Sequence, residues 1–459
     1  MRIHPLDNVE VNLENGHKYA LRPIQDGEMI LKYGNPIGHA IRDIAEGEHV
    51  HSHNMRTNLS GNLEYRYQPN YAETERVPSS QTFLGYVRED GEVGIRNDVW
   101  IIHTVGCVNK VGKRIAELTG AKCFEHPFGC SQLGDDQKIT QLILRGLVNH
   151  PNAAGVLVLG LGCENNNIAE FQKVLGSWNP KRVSFFNAQD CEDEIEGGVK
   201  LVRQLQQYAD TFQRVPVPVS KLKIGLKCGG SDGFSGITAN PLVGSLSDRL
   251  VSYGASCVLT EVPEMFGAEH LLMQRCPTEE LFQKTVNLIN NFKDYFTRHH
   301  QVIYENPSPG NKAGGITTLE EKSLGCVQKG GSSPIADVLD YGDIVTKNGL
   351  SLLNGPGNDI VAVTNLVAAG VQLVLFTTGR GTPVGGPVPT VKIATNRTLA
   401  VKKKNWIDFD ASPLLEGKTM SQMTDILLAY ILRVASGEET ANERGGYSEI
   451  SIFKDGIVF

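Results

Sequence analysis

From Phe83 onward, the sequence alternates short apolar runs with longer stretches that have helical periodicity. The apolar runs have the length of β-strands and fall at 98–105, 155–161, 182–187, 222–227, 255–260, 350–353 and 372–377. The helix-like stretches fall at 109–119, 137–148, 192–209, 240–253, 278–298 and 359–369. This alternation predicts parallel β-sheets with helices packed on them, because two parallel strands must be joined by a crossover connection, usually a helix.

The remaining sequence divides the chain of 459 residues into further parts. Residues 1–60 contain short alternating pieces between turn signals such as "ENG" and "QDGE", which predicts a small all-β domain. Residues 61–82 are polar and lack apolar periodicity, so we interpret them as a linker. The segment "FQRVPVPVSK" predicts a boundary inside the α/β part. It separates a first lobe, 83–216, from a second lobe, 217–459.

Charge and composition argue against several classes of protein. The net charge is −7 and the one short basic block is 402–404, so we expect no nucleic-acid partner. No apolar run approaches the ~20 residues that a membrane-spanning helix needs. The N-terminus lacks the pattern of a secretion signal, and the nine cysteines lie mostly within or beside apolar runs. We therefore expect a cytoplasmic protein with reduced thiols and no membrane association.

Four cysteines stand where apolar runs end: Cys107, Cys130, Cys163 and Cys228. In open α/β sheets, ligands collect outside the carboxyl ends of the strands, which is where these cysteines are expected. They could be soft metal ligands, iron–sulfur cluster ligands, a nucleophile or simply buried packing residues. The sequence contains no C-x-x-C pair, so it does not support a zinc ribbon or a thioredoxin motif.

Histidines and carboxylates add further candidate ligands. His51 and His53 in "VHSHN" would lie on one face of a strand, where they suit a metal or merely face water, and His49 continues the alternation. Glu261 and Glu264 in "TEVPEMFGAEH" directly follow an apolar run. Their carboxylates could reach a cation or a substrate hydroxyl, or could instead stabilise the start of a helix.

Two loops of small residues each carry one cation. In "NPSPGNKAGG" Lys312 could pair with a carboxylate or act as a base. In "FTTGRGTPVGGP" the guanidinium of Arg380 and the exposed amides would suit a substrate carboxylate. Neither loop is a nucleotide-binding motif. Together with the candidate metal ligands, these loops favour a small polyhydroxylated acid held by a divalent metal.

The motifs, taken in order, resemble the altronate/galactarate dehydratase family of sugar-acid dehydratases. The resemblance spans nearly the whole chain and includes "GEMILKYGNPIGHAIRDIAEGEHVHSHN", "GYVREDGEVGIRND", "HPFGCSQLGDD", "HPNAAGVLVLGLGCEN", "CGGSDGFSGITANP", "LTEVPE", "NPSPGNKAGG" and "TTGRGTP". Within the family, the joined N-terminal and catalytic parts, with "VHSHN" and "GCSQLGDD", resemble the altronate dehydratases most.

This resemblance implies a fold and an activity. The fold is a small all-β domain of the β-clip (SAF-like) type, followed by two α/β lobes with mainly parallel sheets. The activity is that of a hydro-lyase of hexuronate catabolism, which dehydrates D-altronate to 2-keto-3-deoxy-D-gluconate. A base removes the α-proton, an acid protonates the leaving β-hydroxyl, and a metal with cationic donors stabilises the enediolate. The resemblance also implies Fe²⁺, with Mn²⁺ as the alternative, and a homodimer.

The same resemblance turns the motif residues into candidates for defined roles. The catalytic candidates are His126, Lys312, Glu261 and Asp232, with His126 first and Lys312 as the rival base. The substrate-binding candidates are Arg380, Ser231, Asn240, Asn311 and Thr378. The metal-ligand candidates are His51, His53, Cys130, Cys163, Glu164 and Cys228.

Other functions remain open at this point. The substrate could be galactarate or another aldonate or aldarate. The enzyme could be an iron–sulfur hydro-lyase on a small hydroxy acid, with three of the four strand-end cysteines as cluster ligands. The chain could also bind a sugar acid without catalysis.

Overall fold

The computed structural model describes residues 1–458 and begins with a small all-β domain. Its strands are β1 (Val9–Val11), β2 (Lys18–Ala20), β3 (Met29–Lys32), β4 (Asn35–Ala40), β5 (His49–Val50) and β6 (Met55–Arg56). They form two antiparallel sheets, in the orders β1-β2-β5 and β3-β4-β6. The small all-β domain predicted at the N-terminus is confirmed, and we call it the β-clip.

Residues 57–81 connect the β-clip to the α/β part without forming a helix or a strand. This segment nevertheless follows the surface of the second lobe through specific hydrogen bonds. The hydroxyl of Tyr67 donates to the carbonyl of Pro277 at 2.9 Å, and the amide of Val77 donates to the carbonyl of Ser252 at 3.0 Å. The connection therefore lies against the lobe that the β-clip also contacts.

The first lobe is built on a four-stranded parallel sheet. Its strands and helices are β7 (Thr82–Val87), β8 (Val93–Gly94), β9 (Asp98–His103), α1 (Asn109–Thr119), β10 (Lys122–Phe124), α2 (Asp135–Val148), β11 (Ala153–Gly160), α3 (Ile168–Leu175), β12 (Val183–Asn187), α4 (Glu194–Ala209) and β13 (Val215–Pro218). The parallel sheet has the order β10-β9-β11-β12, and a small antiparallel sheet has the order β13-β7-β8.

The second lobe is built on a seven-stranded parallel sheet. Its elements are β14 (Lys223–Cys228), α5 (Ala239–Ser252), β15 (Ser256–Leu259), α6 (Glu269–Met273), α7 (Glu279–Arg298), α8 (Pro309–Ala313), α9 (Leu319–Cys326), β16 (Ile335–Leu339), β17 (Gly349–Leu353), α10 (Asp359–Ala368), β18 (Leu373–Thr378), β19 (Thr390–Ala394), α11 (Arg397–Lys402), β20 (Phe409–Asp410), α12 (Met420–Ala435) and α13 (Ala441–Gly445). The sheet order is β16-β17-β15-β14-β18-β19-β20. All its pairings are parallel, so the predicted fold class is confirmed.

Each parallel sheet contains a point where the chain changes direction across the sheet. In the first lobe the chain passes from β9 to β10 on one side and later returns to β11 on the other. In the second lobe β15 lies on one side of β14, whereas β18 lies on the other. Ligands of open α/β sheets bind in the crevice at the carboxyl ends of the strands at such switch points. The topology therefore offers two candidate positions, one in each lobe.

The three parts pack against one another through buried surfaces. The two lobes share a hydrophobic core, and α2 lies so close to α10 that a Cβ on Gly146 would be 2.2 Å from the carbonyl oxygen of Ala368. The β-clip joins the second lobe through an ion-paired group at which Lys18 and Lys32 both reach Glu321. Across residues 1–458, no helix combines the length and the apolar character needed to cross a membrane.

Candidate active site

The switch point of the second lobe lies between the carboxyl ends of β14 and β18. β14 ends at Cys228, and Gly229 follows it. A Cβ built on Gly229 would lie 2.6 Å from the ring of Phe376 and 2.7 Å from a carboxylate oxygen of Asp359. A side chain at this position would displace Phe376 or Asp359, so glycine suits this close passage over the strand ends.

Three potential metal-binding side chains converge at this switch point, and we call them the thiol–carboxylate triad: Cys228, Glu264 and Cys326. Oε2 of Glu264 lies 3.1 Å from each of the two sulfur atoms, which are 3.4 Å from each other. Cys228 ends a strand, Glu264 lies in the turn after β15, and Cys326 ends α9. All three are buried, and their ligand atoms lie within 4.8 Å of one another, so they could coordinate a single ion.

Two buried lysines contact the triad directly. Nζ of Lys329 donates to the sulfur of Cys228 at 2.9 Å, and Nζ of Lys322 lies 2.8 Å from Oε1 of Glu264. Burial alone would raise the pKa of Glu264, but the neighbouring ammonium groups, Lys322 foremost, hold it well below its usual range. Glu264 is therefore ionised and available to bind a cation at neutral pH.

A second carboxylate fixes the end of β14. Oε2 of Glu261 accepts the backbone amide of Cys228 at 2.9 Å, and its other oxygen forms an ion pair with Lys227. Nζ of Lys227 also donates to Oδ1 of Asp359 at 2.8 Å. Burial raises the pKa of Glu261 despite this lysine. Glu261 itself adopts a left-handed backbone conformation, with φ of 72°. A non-glycine residue in this region is uncommon and marks a constrained position.

The charges of this region provide a test of whether a metal fits. When the thiols are neutral, three lysines and three carboxylates give this region no net charge. The lysines are Lys227, Lys322 and Lys329, and the carboxylates are Glu261, Glu264 and Asp359. Without a cation, hydrogen bonding to Cys228 and burial raise the pKa of the Cys326 thiol well above its usual value. Deprotonating both thiols would add two negative charges, which a divalent cation would neutralise. The donor set therefore fits a divalent metal that accepts thiolate ligands.

One cavity adjoins this centre, and it shares Asp232 with a second cavity further out. The inner one, next to Cys326 and Lys322, has a volume of about 10 Å³, room for about one water molecule. The outer one has a volume of about 470 Å³ and contains Arg380, whose guanidinium forms no hydrogen bond or ion pair with residues 1–458. The carboxylate of Asp232 accepts hydrogen bonds from Thr395, among others, but burial still raises its pKa.

The other predicted substrate-binding residues also lie around this switch point. Nδ2 of Asn311 donates to the carbonyl of Ser231 at 2.8 Å, and Ser231 Oγ is buried without a partner in the described chain. Asn240 accepts a hydrogen bond from the hydroxyl of Thr377 at 2.6 Å. Thr378 accepts the amide of Gly381. The structure thus brings together five predicted residues that the sequence separates widely: Ser231, Asp232, Asn240, Asn311 and Thr378.

The predicted histidine ligands belong to a cluster on the β-clip that faces α8, the short helix that carries Lys312 where the sequence predicted a loop. Nε2 of His51 lies 3.0 Å from the carbonyl oxygen of Lys312, and the rings of His49 and His53 are 5.6 Å apart. His17, which sequence reasoning missed, places Nδ1 3.0 Å from Nε2 of His49. The antiparallel pairing of β2 with β5 brings His17 to this face. None of these imidazoles belongs to the triad.

The remaining predicted residues lie at the switch point of the first lobe. Nε2 of His126 donates to the carbonyl of His103 at 2.9 Å, and its Nδ1 accepts the amide of Phe128 at 3.2 Å. His126 is buried, which lowers its pKa. Glu164 accepts the hydroxyl of Thr104 at 2.5 Å. Four predicted site residues therefore lie at the first-lobe switch point and not beside the triad: His126, Cys130, Cys163 and Glu164.

Sequence reasoning missed the site residues that α9 and the turn after it contribute. Lys322, Cys326 and Lys329 are spaced by four and then three residues, so they fall on one helical face. A signal was available, because "LEEKSLGC" places charged and thiol side chains together without an apolar face. Every residue of α9 is buried, and the buried charges of this helix mark it as part of a site.

Comparison with known families agrees with this geometry. The model described as "D-galactarate/Altronate dehydratase, C-terminal" matches residues 219–458. The model "D-galactarate dehydratase/Altronate hydrolase, second domain" matches residues 85–210, and "Altronate/galactarate dehydratase SAF domain" matches residues 8–58. The chain belongs to the altronate/galactarate dehydratase family. The resemblance inferred from the motifs is thereby confirmed.

Individual members of this dehydratase family are similar over nearly their whole length. Altronate dehydratase of Escherichia coli is 51% identical over 100% of this chain and 99% of its own. Altronate dehydratase of Bacillus subtilis is 52% identical over 98% of this chain and 93% of its own. Galactarate dehydratase (L-threo-forming) of Escherichia coli is 32% identical over 96% and 90%, respectively. The altronate dehydratases are thus more similar to this family member than the galactarate enzyme is.

Proposed function

We propose that this protein is a metal-dependent hydro-lyase that converts D-altronate to 2-keto-3-deoxy-D-gluconate. The observation that carries the proposal is the buried thiol–carboxylate triad among lysines at the second-lobe switch point. The cavity beside this centre shares Asp232 with a pocket that contains an unpaired guanidinium, which suits a small carboxylic acid. The identity of about half the residues with two altronate dehydratases supports the choice of substrate.

The triad is our candidate for the metal site. Two thiolates and a carboxylate favour Fe²⁺, and Mn²⁺ remains the alternative, because softer thiolate ligands suit iron better than manganese. When bound, the metal would supply Lewis-acid stabilisation of the negative charge that develops on the substrate carboxylate. Lys329 and Lys322 keep the Cys228 and Glu264 donor atoms in place through hydrogen bonds of 2.9 and 2.8 Å.

The chain's own groups are assigned to the remaining tasks. Arg380 binds the substrate carboxylate in the outer pocket, where its guanidinium is unpaired within the described chain. Lys312 is the candidate base for the α-proton, on helix α8, whose backbone His51 contacts. Asp232 is the candidate acid for the leaving hydroxyl, because burial raises its pKa and it lines both cavities. Glu261 positions Cys228 through its backbone amide.

The setting of the enzyme is proposed from the sequence and the family. We propose a cytoplasmic homodimer whose only partner besides its second copy is a sugar acid. The net charge of −7 supports the absence of a nucleic-acid partner. The division of the chain into a β-clip domain at 1–60, a linker at 61–82 and two lobes at 83–216 and 217–459 is likewise a proposal. The family models end and begin close to these boundaries, which supports it.

A metal-dependent activity assay tests the function. The protein is purified without oxygen, stripped with a chelator and supplied with Fe²⁺, Mn²⁺, Mg²⁺ or no metal. Formation of a 2-keto-3-deoxy acid is followed from D-altronate, galactarate and other sugar acids. We expect turnover of D-altronate that requires Fe²⁺ or Mn²⁺.

The outcomes of this assay separate the alternatives. Turnover of galactarate in preference to D-altronate would keep the reaction class and overturn the substrate. Thermal stabilisation by D-altronate without product, in metal-loaded protein, would indicate a binding protein instead. No turnover of any acid with any metal would overturn the proposal.

A further inference from the structure

Three imidazole rings of the β-clip lie against one another, and we call them the imidazole trio: His17, His49 and His51. The ring centres of His17 and His49 are 5.0 Å apart, those of His49 and His51 are 5.4 Å apart, and those of His17 and His51 are 5.7 Å apart. All three residues are half-buried, so an ion from solution can reach them. The thiol–carboxylate triad is a different group, because its three residues all belong to the second lobe.

The pairing of two strands places these rings on one face. In the antiparallel pair of β2 and β5, Tyr19 lies opposite His49. His17 directly precedes β2 and His51 directly follows β5, so the same register places these two histidines opposite each other. Alternate residues of a strand point to the same face, and residues directly opposite in a pair of strands share a face. The fold therefore brings together rings that the sequence separates by 32 and 34 positions.

The separations of the ring centres fit a single ion held by three imidazoles. An ion about 2.0–2.1 Å from each nitrogen is about 3.2 Å from each ring centre, and tetrahedral angles then place the ring centres about 5.2 Å apart. The observed separations of 5.0, 5.4 and 5.7 Å lie on both sides of this value. The trio is thus neither too wide nor too narrow for one ion.

The nitrogens of two rings already converge. Nδ1 of His17 lies 3.0 Å from Nε2 of His49, near the separation of about 3.3 Å between two nitrogens on one tetrahedral ion. Turns of the rings must complete the set, because among residues 1–458 only the thiol–carboxylate triad has three such ligand atoms within 4.8 Å of one another. The Cβ–Cγ bond points through the ring centre, so rotation about this bond moves the nitrogens and hardly changes the separations of the centres. This torsion has a broad distribution in histidine, so the turns cost little.

The contacts of His51 are those of a metal-bound imidazole. Its Nε2 lies 3.0 Å from the carbonyl oxygen of Lys312 in α8, to which it can donate its N–H. Histidines that bind metals almost always donate their second N–H to a carbonyl, a carboxylate or water in this way. Nδ1 of His51 contacts the hydroxyl of Ser52 at 3.0 Å. Ser52 is exposed, so an ion can replace this contact.

The trio contains neutral donors and no counter-charge. In the described chain, the one ion pair that involves a histidine is that of His299 with Asp455, on the second lobe. Burial, followed by the neighbouring imidazoles, lowers the pKa of His49 to about 4. His49 is therefore neutral at pH 7, and its lone pair is available to a cation. Because no carboxylate pairs with the trio, its rings are not arranged to hold protons.

From the mutual separations of the rings we infer that His17, His49 and His51 bind a divalent transition-metal ion such as Zn²⁺. Neutral imidazoles suit zinc and its neighbours in the first transition series, whereas Mg²⁺ and Ca²⁺ prefer oxygen ligands. Three protein ligands leave the fourth tetrahedral position to water or another oxygen donor. The site is separate from the thiol–carboxylate triad. It goes beyond the proposed dehydration and does not depend on it.

Metal counting tests the inference. The full-length protein is stripped with a chelator, equilibrated with Zn²⁺ at a low micromolar free concentration, and its bound zinc is measured by atomic emission. We expect His17→Ala, His49→Ala and His51→Ala each to bind one Zn²⁺ fewer than the unmodified protein, whatever number the triad binds. The matched control is His39→Ala, another half-buried histidine of the β-clip, which should bind as much zinc as the unmodified protein.

A second measurement uses the unmodified chain, so it does not depend on the folding of a variant. Modification of histidines by diethyl pyrocarbonate is mapped by mass spectrometry with and without Zn²⁺. We expect Zn²⁺ to abolish most of the reactivity of the imidazole trio and to leave that of His39 unchanged.

Three results would overturn the inference. They are equal zinc counts in the trio variants and the unmodified protein, an equal loss of zinc in His39→Ala, and reactivity of the trio that Zn²⁺ does not change. Both measurements are made without a sugar acid and without turnover, so a failure here is distinct from a failure of the proposed function.

Discussion

The two lobes share one architecture but use their strand ends differently. Both have a parallel sheet with a switch point, and both place cysteines at the carboxyl end of a strand or a few residues beyond it. In the second lobe Cys228 is buried among charged groups, whereas in the first lobe Cys107 and Cys163 face solvent. The strand ends therefore determine where a ligand site lies, but not what kind of site it is.

What differs is the structure that covers the strand ends. In the second lobe α9 lies over them and contributes Cys326 and Lys322, and the β-clip covers α9 through Lys18 and Lys32. Buried charges are tolerated when each has a partner, and these groups pair with one another. The described part of the first lobe has no comparable cover, and its cysteines remain in contact with water.

The largest effect is expected from removing one thiol of the buried centre. Cys326→Ser should lower kcat/KM for D-altronate on the order of 10³-fold and reduce Fe²⁺ retention, because a neutral hydroxyl replaces a thiolate donor. The matched control is Cys257→Ser, a buried cysteine of β15 outside the triad. Iron content and steady-state kinetics are measured for both. Equal activity of the two variants would show that the triad is not the reactive centre.

The contrast between the lobes also separates what the sequence could predict from what it could not. All seven predicted strands exist in the structure, because apolar runs of strand length are strong local signals. β19 was missed, and it carries Lys392, a lysine that is buried in the sheet. β10 was missed because it has only three residues.

The candidate site was predictable from strands but not from the helix that covers them. Asp232 and Asn240 follow strand β14, so their sequence position placed them near the ligand site. Cys326 belongs to α9, whose residues are all buried and include Glu321 and Lys322. Amphipathic periodicity identifies helices with one apolar face and one solvated face, and α9 has neither. Its burial depends on the β-clip, which is far away in sequence.

The next largest effect concerns this cover of the second lobe. Glu321→Gln would leave Lys18 and Lys32 buried without a counter-charge, so we expect a loss of stability of about 3–5 kcal/mol. The measurement is the urea midpoint of the first unfolding transition.

A triple variant serves as the control for Glu321→Gln. Lys18→Met, Lys32→Met and Glu321→Leu together replace the whole buried group by apolar side chains. We expect this variant to regain most of the lost stability, because an apolar replacement leaves no unpaired charge. A single substitution as harmless as the triple one would mean that the β-clip is not held by this ion-paired group.

The same group predicts how stability depends on acid pH. Burial alone would raise the pKa of Glu321, but Lys18 and Lys32 lower it to about 2 from an ordinary value of 4.5. Between these values the unfolded chain binds more protons than the folded chain, so stability falls as the pH falls. The contribution, on the order of 3 kcal/mol, is complete above pH 4.5 and lost progressively towards pH 2.

Urea midpoints measured across this pH window check the prediction. The difference between the unmodified protein and Glu321→Gln should have its full size at pH 5 and shrink as the pH falls towards 2. A difference that stays constant down to pH 2 would show that Glu321 does not titrate in this window, and that its pKa is not the origin of the acid sensitivity.

A smaller effect is expected at the entrance of the second-lobe site. Arg380→Ala should raise KM for D-altronate about 10- to 100-fold, because a charge-assisted hydrogen bond contributes about 1.5–3 kcal/mol. Arg397→Ala is the control, since that guanidinium lines the same pocket but is paired with Asp410 at 2.9 Å. If the two variants behaved alike, Arg380 would not be the carboxylate-binding group.

The smallest effect on turnover is expected from His126, the first-lobe histidine that the motifs suggested as a catalytic acid or base. Both ring nitrogens are hydrogen-bonded to backbone groups, those of His103 and Phe128, so neither is free to exchange a proton with substrate. His126→Gln should therefore cost about 1–3 kcal/mol of stability, the penalty for an unsatisfied buried group, with kcat changed by less than about tenfold. Thermal melting and kcat are measured beside His39→Gln, a half-buried histidine of the β-clip.

A fall in kcat of about 10²–10⁴-fold with unchanged melting would instead be the signature of general acid–base catalysis by His126. The reacting centre would then have to include the first lobe, and the catalytic site could no longer be assigned to the second-lobe switch point alone.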